Sequence, residues 1–312
     1  MATQTDAGQT IVGLLERIAV SLETIADALE NKTPPAGPVP GGKTDVVKDE
    51  KKSAPTPRDA DILKAFLEKR GVQIVSVPEE DASDDLINSL ALFLGKNYPS
   101  LQEFLGKVKR HMARGGSFSL NMTEYGKSDV SNVCQFANRL HEYAFLEQYR
   151  YERAPHYLLR AKTTALPAAQ NFFSGKWMER YVLQVVIQVV NKIANELRQA
   201  LDFGYLINPK VVLPNGQDFE FDIFFHVNGT MFWVEAKSGG YQQHISKYSK
   251  IAGMLNMERA HAIVALTDMP RERCRALSSL YNMSVTTLED FEAFITHQIL
   301  GVDGLFKTGK TS

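Results

Sequence analysis

Apolar and polar positions along the 312-residue chain fall into three blocks of different period. From 9 to 31, Ile11, Leu15, Ile18, Leu22, Ile25 and Leu29 recur in alternating steps of four and three. That spacing predicts an amphipathic helix with a heptad seam, and Leu at a with Ile at d favours tetramers over parallel dimers. A homo-oligomer assembled through residues 11–29 is therefore expected. The next stretch, 32–57, is rich in Pro, Gly and Lys. With almost nothing to bury, it is read as a disordered linker.

The second block runs from about 58 to 165. "ADILKAFLEKRG", "DDLINSLALFLGK", "SLQEFLGKVKRHMARGG" and "DVSNVCQFANRLHEYAFL" read as helices, and "VQIVSV" as a short strand. "EQYRYERAPHYLLRAKT" reads as two strands around a turn at Ala154-Pro155. Helices followed by a β-hairpin predict a mainly helical, winged-helix-like domain.

The third block, 171–300, opens on a long helix that is apolar nearly all round from Tyr181 to Ile193, hence buried. "YLINPKVVLP", a strand hairpin, a helix over 242–257, "AHAIVAL", a helix over 271–281, "SVTTL" and "EDFEAFITHQIL" follow. This order predicts a mixed sheet with helices on its faces, an α/β (α+β) core.

The hairpin "FEFDIFFHVNGTMFWVEAKSG", 219–239, carries Glu220, Asp222, Glu235 and Lys237 among Phe, Ile, Val and Trp. Asn228-Gly229 is a strong two-residue turn signal. With that turn, Val227 faces Thr230, Asp222 faces Glu235 and Glu220 faces Lys237, all four charged groups on one face of the strands. Phe219, Phe221, Ile223 and Phe225 are then expected on the other face. Opposed carboxylates repel, and burying them uncompensated is costly. A hard divalent cation, Mg²⁺ or Mn²⁺, would relieve the conflict, and Lys237 could then touch the water or phosphate at that ion. Hydrolysis of a phosphodiester needs those parts. A surface hairpin laced with salt bridges is the plainer alternative; the apolar strands around the charges weigh against it.

Asp222 followed by Glu235-Ala236-Lys237 resembles the Asp…(Asp/Glu)-x-Lys signature of the PD-(D/E)XK nuclease superfamily. "FFSGKWMERYV" and "ISKYSKIAGMLNMERAHAIVAL" extend the resemblance, over about 171–300, to the nuclease module of CRISPR-associated effectors activated by cyclic oligoadenylate. The resemblance implies a restriction-endonuclease-like fold and defence against foreign nucleic acid. It implies metal ligation by Asp222, Glu235 and the Ala236 carbonyl, with Lys237 orienting the attacking water. Glu179 takes the place of an acidic ligand on the first core helix, although a first-turn glutamate is also favoured by the helix dipole. Glu220 resembles the supporting acid of Glu-x-Asp variants, or else forms a cross-strand salt bridge with Lys237. Those effectors carry a nucleotide-sensing domain of Rossmann type. Residues 58–78 offer one helix and one strand without a phosphate-binding glycine loop, so activation by a cyclic nucleotide is not carried over.

Composition changes this picture little. The net charge is −1, so any basic surface is local. From 107 to 162 ten Lys/Arg stand against five Asp/Glu, with Lys107, Lys109 and Arg110 clustered, which suits contact with a nucleic-acid backbone. Gln243, Lys247 and Lys250 share a helix face near the hairpin and suit the same role. His226, His244 and His261 match no ligand spacing, and Trp177 and Trp233 read as core. Two cysteines without metal-ligand spacing fit a reducing cytoplasm. No apolar run is long enough to span a membrane. These readings together predict a cytoplasmic, Mg²⁺- or Mn²⁺-dependent endonuclease, with DNA favoured over RNA. The competing class is a non-catalytic nucleic-acid-binding or assembly protein that uses a nuclease-like scaffold.

Overall fold

The computed structural model describes residues 60–79 and 81–302. The heptad helix over 9–31 and the linker over 32–57 lie outside the described residues. Helix α1 (Ala60–Glu68) buries Leu63 and Leu67 and leads through Gly71 into strand β1 (Gln73–Ser76). Three helices follow, α2 (Asp84–Lys96), α3 (Tyr98–His111) and α4 (Lys127–Glu142), with strand β2 (Ser117–Asn121) between the last two. β3 (Leu146–Glu152) and β4 (Leu158–Thr163) complete an antiparallel sheet of order β2-β4-β3. β2 is a strand that the expected element order lacks. Its "SFSLN" alternates strictly, with Phe118 and Leu120 buried and the polar residues exposed, so the pattern was legible.

A short helix α5 (Pro167–Asn171) and a π-turn (Phe172–Lys176) lead into α6 (Trp177–Leu197). After it, β5 (Phe203–Ile207), β8 (Ile223–Val227), β9 (Thr230–Lys237), β10 (Ala262–Leu266) and β11 (Ser284–Thr287) form a five-stranded mixed sheet of order β11-β10-β9-β8-β5. β9, β10 and β11 run parallel, and β8 is antiparallel to both its neighbours. β6 (Lys210–Val212) and β7 (Asp218–Glu220) leave this sheet and pair with β1 in a separate antiparallel one. The single strand expected from "YLINPKVVLP" is thus two strands in two sheets. They part at Asn208, whose φ of 50° lies in the left-handed region that Asn tolerates.

Helices cover both faces of the five-stranded sheet, which is why β8 and β10 are buried throughout rather than alternating. One face packs Phe224, Trp233, Val264 and Leu266 against Leu63 and Leu67 of α1, α7 (Ile245–Met254) and Cys274 of α8 (Arg271–Tyr281). The other face receives α6, flanked by α2 and by α9 (Phe291–Leu300). α2 approaches α6 so closely that a Cβ on Gly95 would stand 2.1 Å from the Tyr181 ring. Only glycine fits there.

All described residues fall within one compact unit, Pro57–Ser312. α1 and β1 were read from sequence as the start of the 58–165 block. In the structure their side chains join the core of the C-terminal sheet, and Arg70 Nε donates to the Leu255 carbonyl at 2.6 Å.

Candidate functional site

The hairpin turns at Asn228 and Gly229, both with positive φ (48° and 80°), as an Asn-Gly turn requires. Val227 pairs with Thr230, and the ladder runs back to Ile223 opposite Val234 in the expected register. There it ends. Phe221 N–H donates to the Pro209 carbonyl, and the Asp222 carbonyl accepts from the Asn208 N–H at 3.0 Å. Residues 221–222 are therefore the crossing between two sheets. Two expectations fail for this reason. Glu220 does not face Lys237; it lies in β7 opposite Lys210 and is exposed. Phe219 and Phe221 do not line the face of Ile223 and Phe225; they pack on Trp233, and Phe221 also on Phe224, from the other side. The crossing interrupts the two-residue alternation, so positions before it cannot be counted from the turn.

Asp222 and Glu235 do come together, both buried (6% and 1% exposed). The Asp222 N–H donates to Glu235 Oε1 at 3.1 Å, because at the crossing this amide has no strand partner. The Trp233 indole N–H donates to the same oxygen at 3.0 Å. Asp222 Oδ2 accepts from the Ala236 N–H and from Lys237 Nζ, each at 2.8 Å. Lys237 Nζ also lies 3.3 Å from Glu235 Oε2. One ammonium thus serves two carboxylates. Glu179, in the first turn of α6, accepts from the side-chain N–H of buried Asn208 at 2.8 Å.

Charge balance decides the electrostatics. Asp222 and Glu235 share Lys237 in a largely buried space, and Glu179 stands near enough to feel the charges of Asp222 and Lys237. Burial, then the Asp222 charge, push Glu235 up to about 8. The same two causes raise Glu179, against the Asn208 hydrogen bond. Burial works to lower the Lys237 ammonium, yet the Glu235 and Asp222 charges outweigh it and hold it well above its ordinary range. The Tyr248 ring centroid lies 5.9 Å from Lys237 Nζ, and burial followed by the Glu235 charge raises its phenol. Asn208 and Tyr248 escaped the sequence reading. The Asn-Pro step at 208–209 was a turn signal, but nothing in it pointed to Glu179.

This donor set suits a hard dication in kind and charge: oxygen ligands carrying excess negative charge. Asp222, Glu235, Glu179 and the Ala236 carbonyl are the groups that would hold one. Among the described residues no three His, Cys, Asp or Glu groups are gathered as a ready cage. Lys237 holds Asp222 and Glu235 instead.

The basic residues expected to grip nucleic acid lie apart. Lys107 pairs with Glu103 at 3.7 Å, and Arg110 Nε donates to the Gly106 carbonyl. Half-buried Lys109 turns the other way and donates to Ser238 Oγ at 3.4 Å, directly after Lys237 in the chain, and burial lowers its ammonium. Gln243, Lys247 and Lys250 are exposed, with Lys247 Nζ over the Phe219 ring. His226 is buried 3.9 Å from Asp202, His244 stacks on Tyr248, and His261 meets the Phe232 ring edge-on. Trp177 and Trp233 are core residues. No helix among the described residues is long and apolar enough to cross a membrane.

No family model matches the chain, and no curated protein matches it. Solved structures that align with the chain include the following two. Protein VC1899 from Vibrio cholerae aligns with a TM-score of 0.50 and 16% identity over 75% of this chain. Can2 from Sulfobacillus thermosulfidooxidans, solved in complex with cyclic tetra-adenylate, aligns with a TM-score of 0.46 and 14% identity over 77% of this chain. The chain spans 59% of the length of each. The likeness to the Vibrio cholerae protein is one of fold.

Proposed function

We propose that this chain is a nuclease of the PD-(D/E)XK type that hydrolyses phosphodiester bonds with Mg²⁺ or Mn²⁺, with DNA favoured over RNA. One observation carries the reading: Asp222 and Glu235, thirteen positions apart in the chain, meet in a buried pocket and share the Lys237 ammonium. A structural salt bridge needs one carboxylate per lysine. The second, Glu235, is left holding a proton near neutral pH unless a cation takes that proton's place, and Glu179 stands near enough to feel the Asp222 charge. Asp222, Glu235 and the Ala236 carbonyl would be the cation's ligands, with Glu179 completing the set. Such an ion, when bound, supplies an acidified water and neutralises charge building on the phosphoryl group.

The chain's own residues do the rest. Lys237 can donate to a water or to a phosphoryl oxygen once its hold on the carboxylates is relieved. The Trp233 indole and the Asp222 amide keep Glu235 Oε1 oriented. Asn208 fixes Glu179 against the first turn of α6. The order α2-α3-β2-α4-β3-β4 supports a winged helix ahead of this core. A role in defence and a cytoplasmic location rest on the sequence resemblance and the cysteine usage. Assembly of several copies through residues 11–29 rests on the heptad seam.

The test is cleavage of plasmid, linear duplex, single-stranded DNA and RNA with Mg²⁺, Mn²⁺ or EDTA. Asp222→Ala, Glu235→Ala and Lys237→Ala should each abolish a metal-dependent activity, and Ca²⁺ should bind without supporting it. Three variants that cut like the parent would move the site elsewhere.

A further inference from the structure

The sheet β2-β4-β3 packs one face on α4 and leaves the other to solvent. Strand register lays out the exposed face in rows. Ser119, Arg160 and Arg150 form the central row, because Arg160 pairs with Ser119 on one side and with Arg150 on the other. Ser117, Lys162 and Gln148 form the row beside it. Like charges directly opposite each other across a ladder are destabilising. Here the two guanidinium groups share one carboxylate: Glu152 Oε1 lies 3.9 Å from Arg150 Nε and 3.7 Å from Arg160 Nε. Lys162 is matched separately by Glu147. The arginine side chains stay 78% and 60% exposed. They line a groove of about 690 Å³ together with Ser117, Ser119 and Gln148.

We propose that this sheet face is a binding surface for the phosphate backbone of a nucleic-acid strand, with Arg150 and Arg160 clamping one phosphate between them. Guanidinium forks suit phosphate oxygens bidentately. The serine hydroxyls and the Gln148 amide donate to neighbouring phosphate or sugar oxygens, as such groups do at backbone contacts. A phosphate supplies the negative charge that one glutamate shared by two arginines lacks. This identification of the polyanion rests on the nucleic-acid substrate inferred from the hairpin.

Fluorescence anisotropy of labelled single-stranded and duplex oligonucleotides, in EDTA, separates binding from cutting. Arg150→Ala with Arg160→Ala should weaken binding by about tenfold or more at about 0.1 M salt, and reduce the slope of log affinity against log salt by about 1, the share of one phosphate. Glu152→Gln should tighten binding several-fold. Both arginines are exposed, so the double variant should keep the parent's circular dichroism and melting. Unchanged affinity and slope in the double variant would overturn the proposal. So would binding of heparin, acidic peptide or anionic vesicles in clear preference to oligonucleotides. The hairpin reading fails separately: a parent that binds through the arginines but cuts no nucleic acid with any metal sinks the nuclease and leaves this surface standing. An Asp222→Asn protein that binds fully but no longer cuts supports both.

Discussion

Among the described residues, like charges face each other at Asp222 with Glu235 and at Arg150 with Arg160, and the surroundings treat the two pairs differently. Asp222 and Glu235 meet where β8 and β9 end, under almost complete burial. Arg150 and Arg160 meet across β3 and β4 in the open. Two unit charges about 4 Å apart interact by about 1 kcal/mol in bulk water and by several times more as solvent is excluded. The exposed pair can therefore lean on solvent and on half a glutamate. The buried pair cannot, and the fold gathers an indole N–H, two backbone amides and a lysine around it. A like-charge pair in water is tolerated; the same pair in the interior dictates what its neighbours must be.

The largest test of this contrast removes the buried lysine. Lys237→Met leaves the buried Asp222 carboxylate without its counter-ion and should cost about 3–5 kcal/mol near neutral pH, where Glu235 holds a proton, read as a shifted urea midpoint. Asp222→Asn relieves the repulsion instead and should cost far less, or even stabilise the metal-free protein. If the two substitutions cost the same, Lys237 is not balancing the pair.

Acidity gives the next effect. Glu235 moves from its ordinary 4.5 up to about 8 in the folded protein. The folded state then binds more protons than the unfolded one across that window. The contribution is present in full below about 4.5 and is lost as pH rises through about 8, at no more than about 1.4 kcal/mol per pH unit. Metal-free protein should thus lose stability as pH rises through this range, and Glu235→Gln should flatten the slope. Matching slopes in parent and variant would show that Glu235 titrates normally.

Metal should reverse the trend. Binding to deprotonated carboxylates competes with protons, so the rise in Tm on adding Mg²⁺ should be larger at about pH 8 than at about pH 6, and Asp222→Ala should erase it. An equal rise at both pH values would place the ion elsewhere. The smallest effect belongs to the exposed pair. Arg150→Ala should change stability by no more than about 0.5 kcal/mol, towards stabilisation at low salt, and by less as salt screens the repulsion.

The difference between the regions also explains what could be read from sequence. The turn at Asn228-Gly229 and the meeting of Asp222 with Glu235 were legible, because an Asn-Gly turn sets the register of its own hairpin. Glu220 was misplaced because the strand breaks at Phe221 and Asp222, and that break is decided by Pro209 and Asn208, outside the hairpin. The helices from α2 to α4 were legible from their apolar period. β2 was missed although its alternation was plain, since five residues after a glycine pair look like a loop continuing. Asn208 and Tyr248 carry no motif; only packing brings them to Glu179 and Lys237. The arginine pair was invisible for a similar reason. Ten positions separate Arg150 from Arg160, and only the β3–β4 register sets them side by side.

The place of α1 and β1 in the core has a consequence for how the chain is built. Ile74 pairs with Val211, and the Phe66 ring of α1 lies 5.7 Å from that of Phe224, so residues 84–163 are an insertion between two pieces of one folded body. The inserted block is anchored at both ends, unlike a bead on a string, and cannot swing on a single hinge. During synthesis α1 emerges long before the strands that cover it, so its apolar face must wait for more than a hundred residues of chain. A shortened chain beginning at 171 would keep Asp222, Glu235 and Lys237 yet expose the side of Phe224 that α1 covers. Loss of activity in such a fragment would then report a wounded core, not a missing substrate-binding domain.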